Sequence, residues 1–286
     1  WIPRYEYKID STAKTIDVRF IKTDVKAGTS GYTTDSTGIV KSSDDYIVHP
    51  AFMNDTANGF NNGGWDKELA GVWIAKYPAG WQNGTDGETS IGTPERSSKE
   101  YQTTSVGITY DGSTSPSKQM SYPEFKSNTY AYNYITIGDA YTLSQDIKDA
   151  TRYGLRNVDS HLQKNSEWGA VAYLAHSKYG LNGAEVTIND TNKSNSPAGI
   201  YAVTSPETVT NTSTTQNITG VYDMSGCVWE YTVGFLLGSN PSYAAGITIT
   251  NSKYVTVYTE NENKQGDAIM ETKKWHGDCA DFVSSS

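Results

Sequence analysis

Alternation of apolar and polar positions opens the chain. Over residues 1–7, Ile2, Arg4 and Glu6 point one way and Trp1, Tyr5 and Tyr7 the other, with Pro3 tolerable only at a sheet edge. Residues 15–21 repeat the period of two with Ile16, Val18 and Phe20 on one face, so the two segments predict a hairpin joined through Asp10-Ser11. Residues 26–45 are rich in Gly, Ser, Thr and Asp and read as a loop. Residues 69–77, Leu-Ala-Gly-Val-Trp-Ile-Ala-Lys-Tyr, read as a buried strand, and residues 254–258 alternate as another. The period changes in the middle of the chain. Residues 142–153 space Leu143, Ile147, Ala150 and Tyr153 at three and four, with Thr142 as cap and Gly154 as stop. Residues 166–179 carry the stripe Trp168, Val171, Ala172, Leu174 and Ala175, with Asn165 or Ser166 as cap and Gly180 at the end. Two long polar stretches, 81–121 and 181–216, read as loop insertions, the first with turns at Asn83-Gly84, Asp86-Gly87 and Asp111-Gly112.

The most distinctive words lie at residues 219–232, Thr-Gly-Val-Tyr-Asp-Met-Ser-Gly-Cys-Val-Trp-Glu-Tyr-Thr. Asp223-Met224-Ser225-Gly226 is a tight turn, with Asp able to bond the backbone two residues on and Gly permitting the exit. The strand after it sets Val228 and Glu230 on one face and Trp229 and Tyr231 on the other, so one face can bury two large rings. The string resembles the Gly-x-Tyr-Asp-Met-x-Gly-Asn-Val-Trp-Glu-Trp motif of the formylglycine-generating (sulfatase-modifying factor) family, a branch of the C-type lectin fold. Cys227 stands where that family usually has Asn, and Tyr231 where it usually has Trp. Trp1-Ile-Pro-Arg-Tyr, the Leu69 to Tyr77 string, Asp159-Ser-His-Leu-Gln-Lys, Asn165-Ser-Glu-Trp-Gly-Ala-Val-Ala-Tyr-Leu and Gly266-Asp-Ala-Ile resemble, in order, segments of non-enzymatic phage and bacterial members. Among these are the variable proteins of diversity-generating retroelements. The family's Arg-Gly-Gly segment and final Gly-Phe-Arg strand are missing, so residues 1–286 read as a single lectin-like domain cut at both ends.

The resemblance implies an α+β C-type lectin fold of the formylglycine-generating-enzyme type: two helices on twisted antiparallel sheets with long loops. It places Trp168 and Trp229 in the core, where a helix stripe and a strand face each need a large ring. Composition narrows the function. A net charge of -9 with scattered Lys and Arg offers no basic stripe for a phosphate backbone, and nucleic acid is not expected as a partner. No apolar run approaches the length of a membrane span, so insertion into a bilayer is not expected. Tyr outnumbers Phe 21 to 6 amid Ser, Thr, Asn and Gly, a mixture that suits either a hydrophilic strand-rich protein or a recognition surface.

Catalysis has little to stand on. The family's oxidation uses a cysteine pair near the Arg-Gly-Gly region, and neither Cys227 nor Cys279 maps onto it. His49, His161, His176 and His276 show no metal spacing, and no nucleophile-elbow string occurs. The expectation is therefore no catalytic residue, no metal and no cofactor. Cys227 and Cys279 could be bridged or could be two thiols. By resemblance, the changeable residues follow Gly266-Asp-Ala-Ile, which points to Trp275, His276, Asp278, Cys279 and Asp281 as a ligand-binding loop. The expected partner is a cell-surface protein or glycan, met outside the cell at a phage tail tip or on a bacterial surface, with a homo-oligomer possible. A structural virion or pilus component is the alternative.

Overall fold

Cross-strand pairing at the front of the chain sorts its residues into two faces. The computed structural model describes residues 1–10, 12–35, 38–54, 64–81, 108–110, 118–120, 123–127, 137–148, 153–189, 210–227, 230–236 and 253–258. Along the chain the strands are β1 (Ile2–Pro3), β2 (Tyr5–Asp10), β3 (Thr15–Phe20), β4 (Tyr32–Thr34), β5 (Val40–Ser42) and β6 (Ile47–Val48), followed by a 3-10 turn at Pro50–Phe52. Then come β7 (Gly71–Val72), β8 (Gly80–Trp81), β9 (Ile108–Tyr110), β10 (Lys118–Met120) and β11 (Pro123–Glu124). Helices α1 (Ile137–Asp146) and α2 (Asn165–His176) precede β12 (Gly234–Leu236) and β13 (Thr256–Tyr258). Five strands form one antiparallel sheet in the order β3-β2-β6-β5-β4, and the others pair in twos, all antiparallel except β12 with β13. The described protein is thus α+β, with antiparallel sheets and two helices.

The β2–β3 hairpin forms as the alternation predicts, and Asp10 closes its turn by accepting from the Thr12 and Ala13 amides. Its register sets Tyr7 against Val18 and Ile9 against Ile16 on the core side. On the other side Glu6 faces Arg19 and Lys8 faces Asp17, opposite charges directly across. Helix α2 covers the core side. Its buried surface runs almost all the way round, with Leu174 alone only partly covered. Gly169, Ala170, Ala172 and Ala175 keep that helix slim enough to lie close to the sheet. The Tyr5 hydroxyl donates to Ala170 O at 2.7 Å, and the Tyr173 ring meets Tyr7 edge-on at 4.9 Å. Trp168 joins this core as expected; Trp229 lies outside the described residues.

Several expectations are corrected. The 1–7 strand breaks at Arg4, whose amide turns away to Ala70 O. Both faces of the next segment are buried, Arg4 and Glu6 included. Only Gly71–Val72 of the 69–77 string is strand, and Trp73 stands 81% exposed. The 26–45 loop contributes β4 and β5 to the main sheet, and the 81–121 stretch contains the β9–β10 pair flanking Asp111-Gly112. The first helix starts five residues before Thr142 and ends at Asp146, so Thr142 is interior to it rather than its cap. The second begins at Asn165 and stops at His176 rather than Tyr179. Its stop comes when Ser177 donates its amide back to the Tyr173 and Leu174 carbonyls.

Candidate functional site

The head of α2 gathers a set of ionisable groups, His161, Lys164, Glu167, Asp159 and Lys253. Glu167 sits at the third helical position, where its carboxylate reaches back to accept from the Lys164 amide at 2.9 Å, satisfying a donor that the helix cannot. The same Oε2 lies 3.0 Å from His161 Nε2. His161 Nδ1 is 3.3 Å from the Asp159 carbonyl. The imidazole stacks on Tyr254 at 5.2 Å and meets the Trp65 ring edge-on at 5.1 Å. Trp65 is itself anchored by its indole N–H on Ala51 O at 2.7 Å, and the buried Lys164 ammonium lies 4.1 Å over its ring. Lys253 closes the outside of the cluster with ion pairs to Asp159 (2.7 Å) and Asp66 (3.5 Å).

These contacts set the charges. Burial opposes ionisation of both His161 and Glu167, but each stabilises the other's charged form. His161 is therefore raised above the ordinary histidine value and Glu167 held below the ordinary carboxylate value. Asp159 loses some solvation, yet hydrogen bonds from Lys253 and Tyr254 hold it low.

The central motif lies on the other flank of α2. Asp223, Gly226 and Cys227 all have positive φ (59°, 86° and 64°), so the expected turn is there and Gly226 serves its exit. The Asn189 amide donates to Ser225 O at 2.9 Å, and the Cys227 amide donates to Asn189 O at 2.9 Å, locking the turn to the 181–189 segment. Beyond it, Glu230 accepts from the Trp168 indole at 3.0 Å. Burial, with a further push from Asp223, raises the Glu230 carboxyl to about 7 despite that bond. Tyr231 is about half exposed, which corrects its assignment to a buried face. A shallow hollow between this turn and α2 is lined by Trp168, His176, Glu185, Thr214, Met224 and Ser225.

Two other histidines are buried. His49 is fully buried among Tyr5, Tyr7, Phe52 and Tyr173, and its Nδ1 accepts the Ala51 amide to cap the 3-10 turn. His176 is buried with Nε2 3.4 Å from Glu185. No group of three or more His, Cys, Asp or Glu among the described residues is placed to hold a metal ion. No described helix is long and apolar enough to cross a membrane. Cys227 is buried, and Cys279, with which it could be bridged, lies outside the described residues.

The outer surface carries the opposite chemistry. Trp73 and the half-exposed Trp1 lie with ring centroids 5.2 Å apart and planes inclined at 58°. The Trp1 ring rests on Gly71, where a Cβ would come within 2.6 Å of it, so only glycine admits this contact. Phe20 and Tyr179, each 45% exposed, form a second pair at 4.7 Å. Trp275, His276, Asp278, Cys279 and Asp281, the residues predicted to bind ligand, lie outside the described residues. Sequence reasoning missed the His161–Glu167 pair, although a Glu at the third position of a helix was its legible signal. It missed the exposed Trp73 because a continuous apolar run reads as buried. No family model, curated protein or solved structure matches the chain.

Proposed function

We propose that this chain is a non-catalytic binding domain of C-type lectin type, in the formylglycine-generating-enzyme branch, that engages a glycan or protein on a cell surface. One observation carries the reading, the division of chemistry between inside and outside. His49, Lys164, Glu167 and His176 are buried and His161 is mostly covered, all built into packing or capping, whereas Trp73 stands 81% exposed beside Trp1. A catalyst needs ionisable groups where substrate can reach them. A binder needs rigid aromatic area at its surface, because such rings lose little conformational entropy when a partner covers them. The α+β architecture with antiparallel sheets is compatible with the lectin-type scaffold. Residues 275–281 remain the proposed variable part of the recognition face, and an extracellular setting on a phage tail or bacterial surface its proposed location.

The test is labelled protein applied to whole bacterial cells and to a glycan array, beside Trp73→Ala and a variant with Trp275, His276, Asp278, Cys279 and Asp281 all changed to Ala. Saturable binding by the parent, lost in either variant at an unchanged melting temperature, is the expected result. Absence of saturable binding on every cell and glycan overturns the proposal, as does full binding by both variants.

A further inference from the structure

Residues 253–258 meet the head of α2 and the chain around it through polar bonds, one stacked ring pair and the buried Val255, which packs with Val233, Tyr141 and Leu162. The Ser166 amide donates to Thr256 Oγ1 at 3.1 Å, and that hydroxyl lies 3.2 Å from Ser166 Oγ. The Thr256 amide donates to Val233 O at 3.1 Å, and the Asn165 amide reaches the same carbonyl at 3.3 Å. Tyr254 contributes the ring that lies flat on His161, with planes inclined at only 27°.

His161 is the joint of this seam, and its two partners define its protonation. Nδ1 faces the Asp159 carbonyl, which can only accept. Nε2 faces Glu167 Oε2, which already accepts the Lys164 amide and so acts as a carboxylate acceptor. A neutral imidazole has one N–H and one lone pair, so it can satisfy one of these acceptors while presenting a lone pair to the other. Only the imidazolium donates to both. Its positive charge is also well placed for the Tyr254 face on which it stacks.

From this geometry we infer that His161 is a protonated clasp that fastens segment 253–258 to the head of α2 and loosens it when the proton is lost. The surrounding charges come from every element packed on the ring. Glu167 and Lys164 belong to the helix head, Asp159 to its own segment, Lys253 and Tyr254 to the clasped segment, and Asp66 to the 64–81 segment. Glu167 and Asp159 favour the cation, and Lys164 opposes it. The sign follows from His161 being raised in the folded protein. The clasp is fully closed below the ordinary histidine value of about 6.5 and opens as pH rises through the higher folded value. The inference stands on these contacts alone and is independent of what the domain binds.

The experiment is a pH series on the full chain with two readouts. Nitrogen-15 spectra of the imidazole should show both His161 nitrogens protonated at the acid end of the series, with a midpoint above the ordinary value. Hydrogen exchange of a peptide spanning residues 253–258, corrected for the intrinsic rate, should lose protection across that midpoint. The loss should be about tenfold for each unit by which the midpoint exceeds the ordinary histidine value. Glu167→Gln keeps an acceptor for the Lys164 amide and should bring the His161 midpoint down. His161→Gln should flatten the pH dependence of the exchange. A His161 midpoint at or below the ordinary histidine value, or protection that stays level through its titration, overturns the inference. The nitrogen spectrum of the unmodified protein decides even where a variant does not fold.

Discussion

Replacing Arg4 with Met should be among the most damaging single changes outside the helix core. The Arg4 side chain is fully buried, and its guanidinium gathers parts of the chain that share no secondary structure. Nη1 donates to Phe52 O at 2.7 Å and to Leu69 O at 3.3 Å; Nη2 donates to Val25 O at 2.7 Å and pairs with Glu68 at 2.8 Å. Met fills most of the volume and supplies none of these donors. Breaking one side of a buried ion pair costs about 3–5 kcal/mol, and each short charged hydrogen bond is worth roughly 1.5–3 kcal/mol. These figures overlap rather than add, because Glu68 keeps some exposure and can recover water. A net loss of about 3–5 kcal/mol remains, a drop in melting temperature of roughly 6–15 °C for a chain of this size. Urea unfolding followed by tryptophan fluorescence measures it. Adding Glu68→Gln to Arg4→Met should restore only part of the loss, since the Phe52 and Val25 carbonyls still lack their donor. A single variant within about 0.5 kcal/mol of the parent, or full recovery in the double variant, would refute the reasoning.

Three further outcomes are expected. Glu230→Gln should remove a pH dependence: with the folded carboxyl at about 7, above its ordinary value, its contribution is present at acid pH and lost as pH rises through 7. The variant should gain up to about 3 kcal/mol on the parent at pH 8 and little at pH 4, read from paired denaturation curves; equal pH profiles refute it. Gly226→Ala should lose at least about 2 kcal/mol, because φ is +86° and the new Cβ would come within 2.7 Å of the Asn189 amide nitrogen. Calorimetry checks this, and an unchanged melting temperature contradicts it. Incubation with copper, oxygen and a sulfatase-type cysteine peptide should leave the peptide unmodified by mass spectrometry, and turnover at an enzymatic rate would overturn the non-catalytic reading.

Local pattern sufficed where one face of an element is buried and the other is not. The β2–β3 hairpin was legible because Ile16 and Val18 alternate with Asp17 and Arg19, and a register slip would invert every one of them. The turn at Asp223 to Gly226 was legible because glycine has the φ freedom that its exit needs. The existence of α2 was legible in its spacing, but its exact bounds were not, since they depend on Glu167 reaching back to Lys164 and Ser177 closing the far end. Short-range pattern also could not say that Arg4 and Glu6 would be buried on the second face. That burial depends on Val25, Tyr32, Phe52 and Glu68, between 21 and 64 residues away in chain order, closing over them. For the same reason Trp73 reads as core in its apolar string yet stands in solvent, because β7 is only two residues long and pairs with β1 alone. His161 and Glu167 lie six residues apart, too far for one helix face to bring them together. Only the turn into α2, with Trp65 and Tyr254 packed against the imidazole, makes them a pair. Sequence determined the β2–β3 hairpin, the existence of α2 and the turn; the tertiary structure decided which charges are buried and which rings are left exposed, because burial is set by what packs across from a residue rather than by what flanks it.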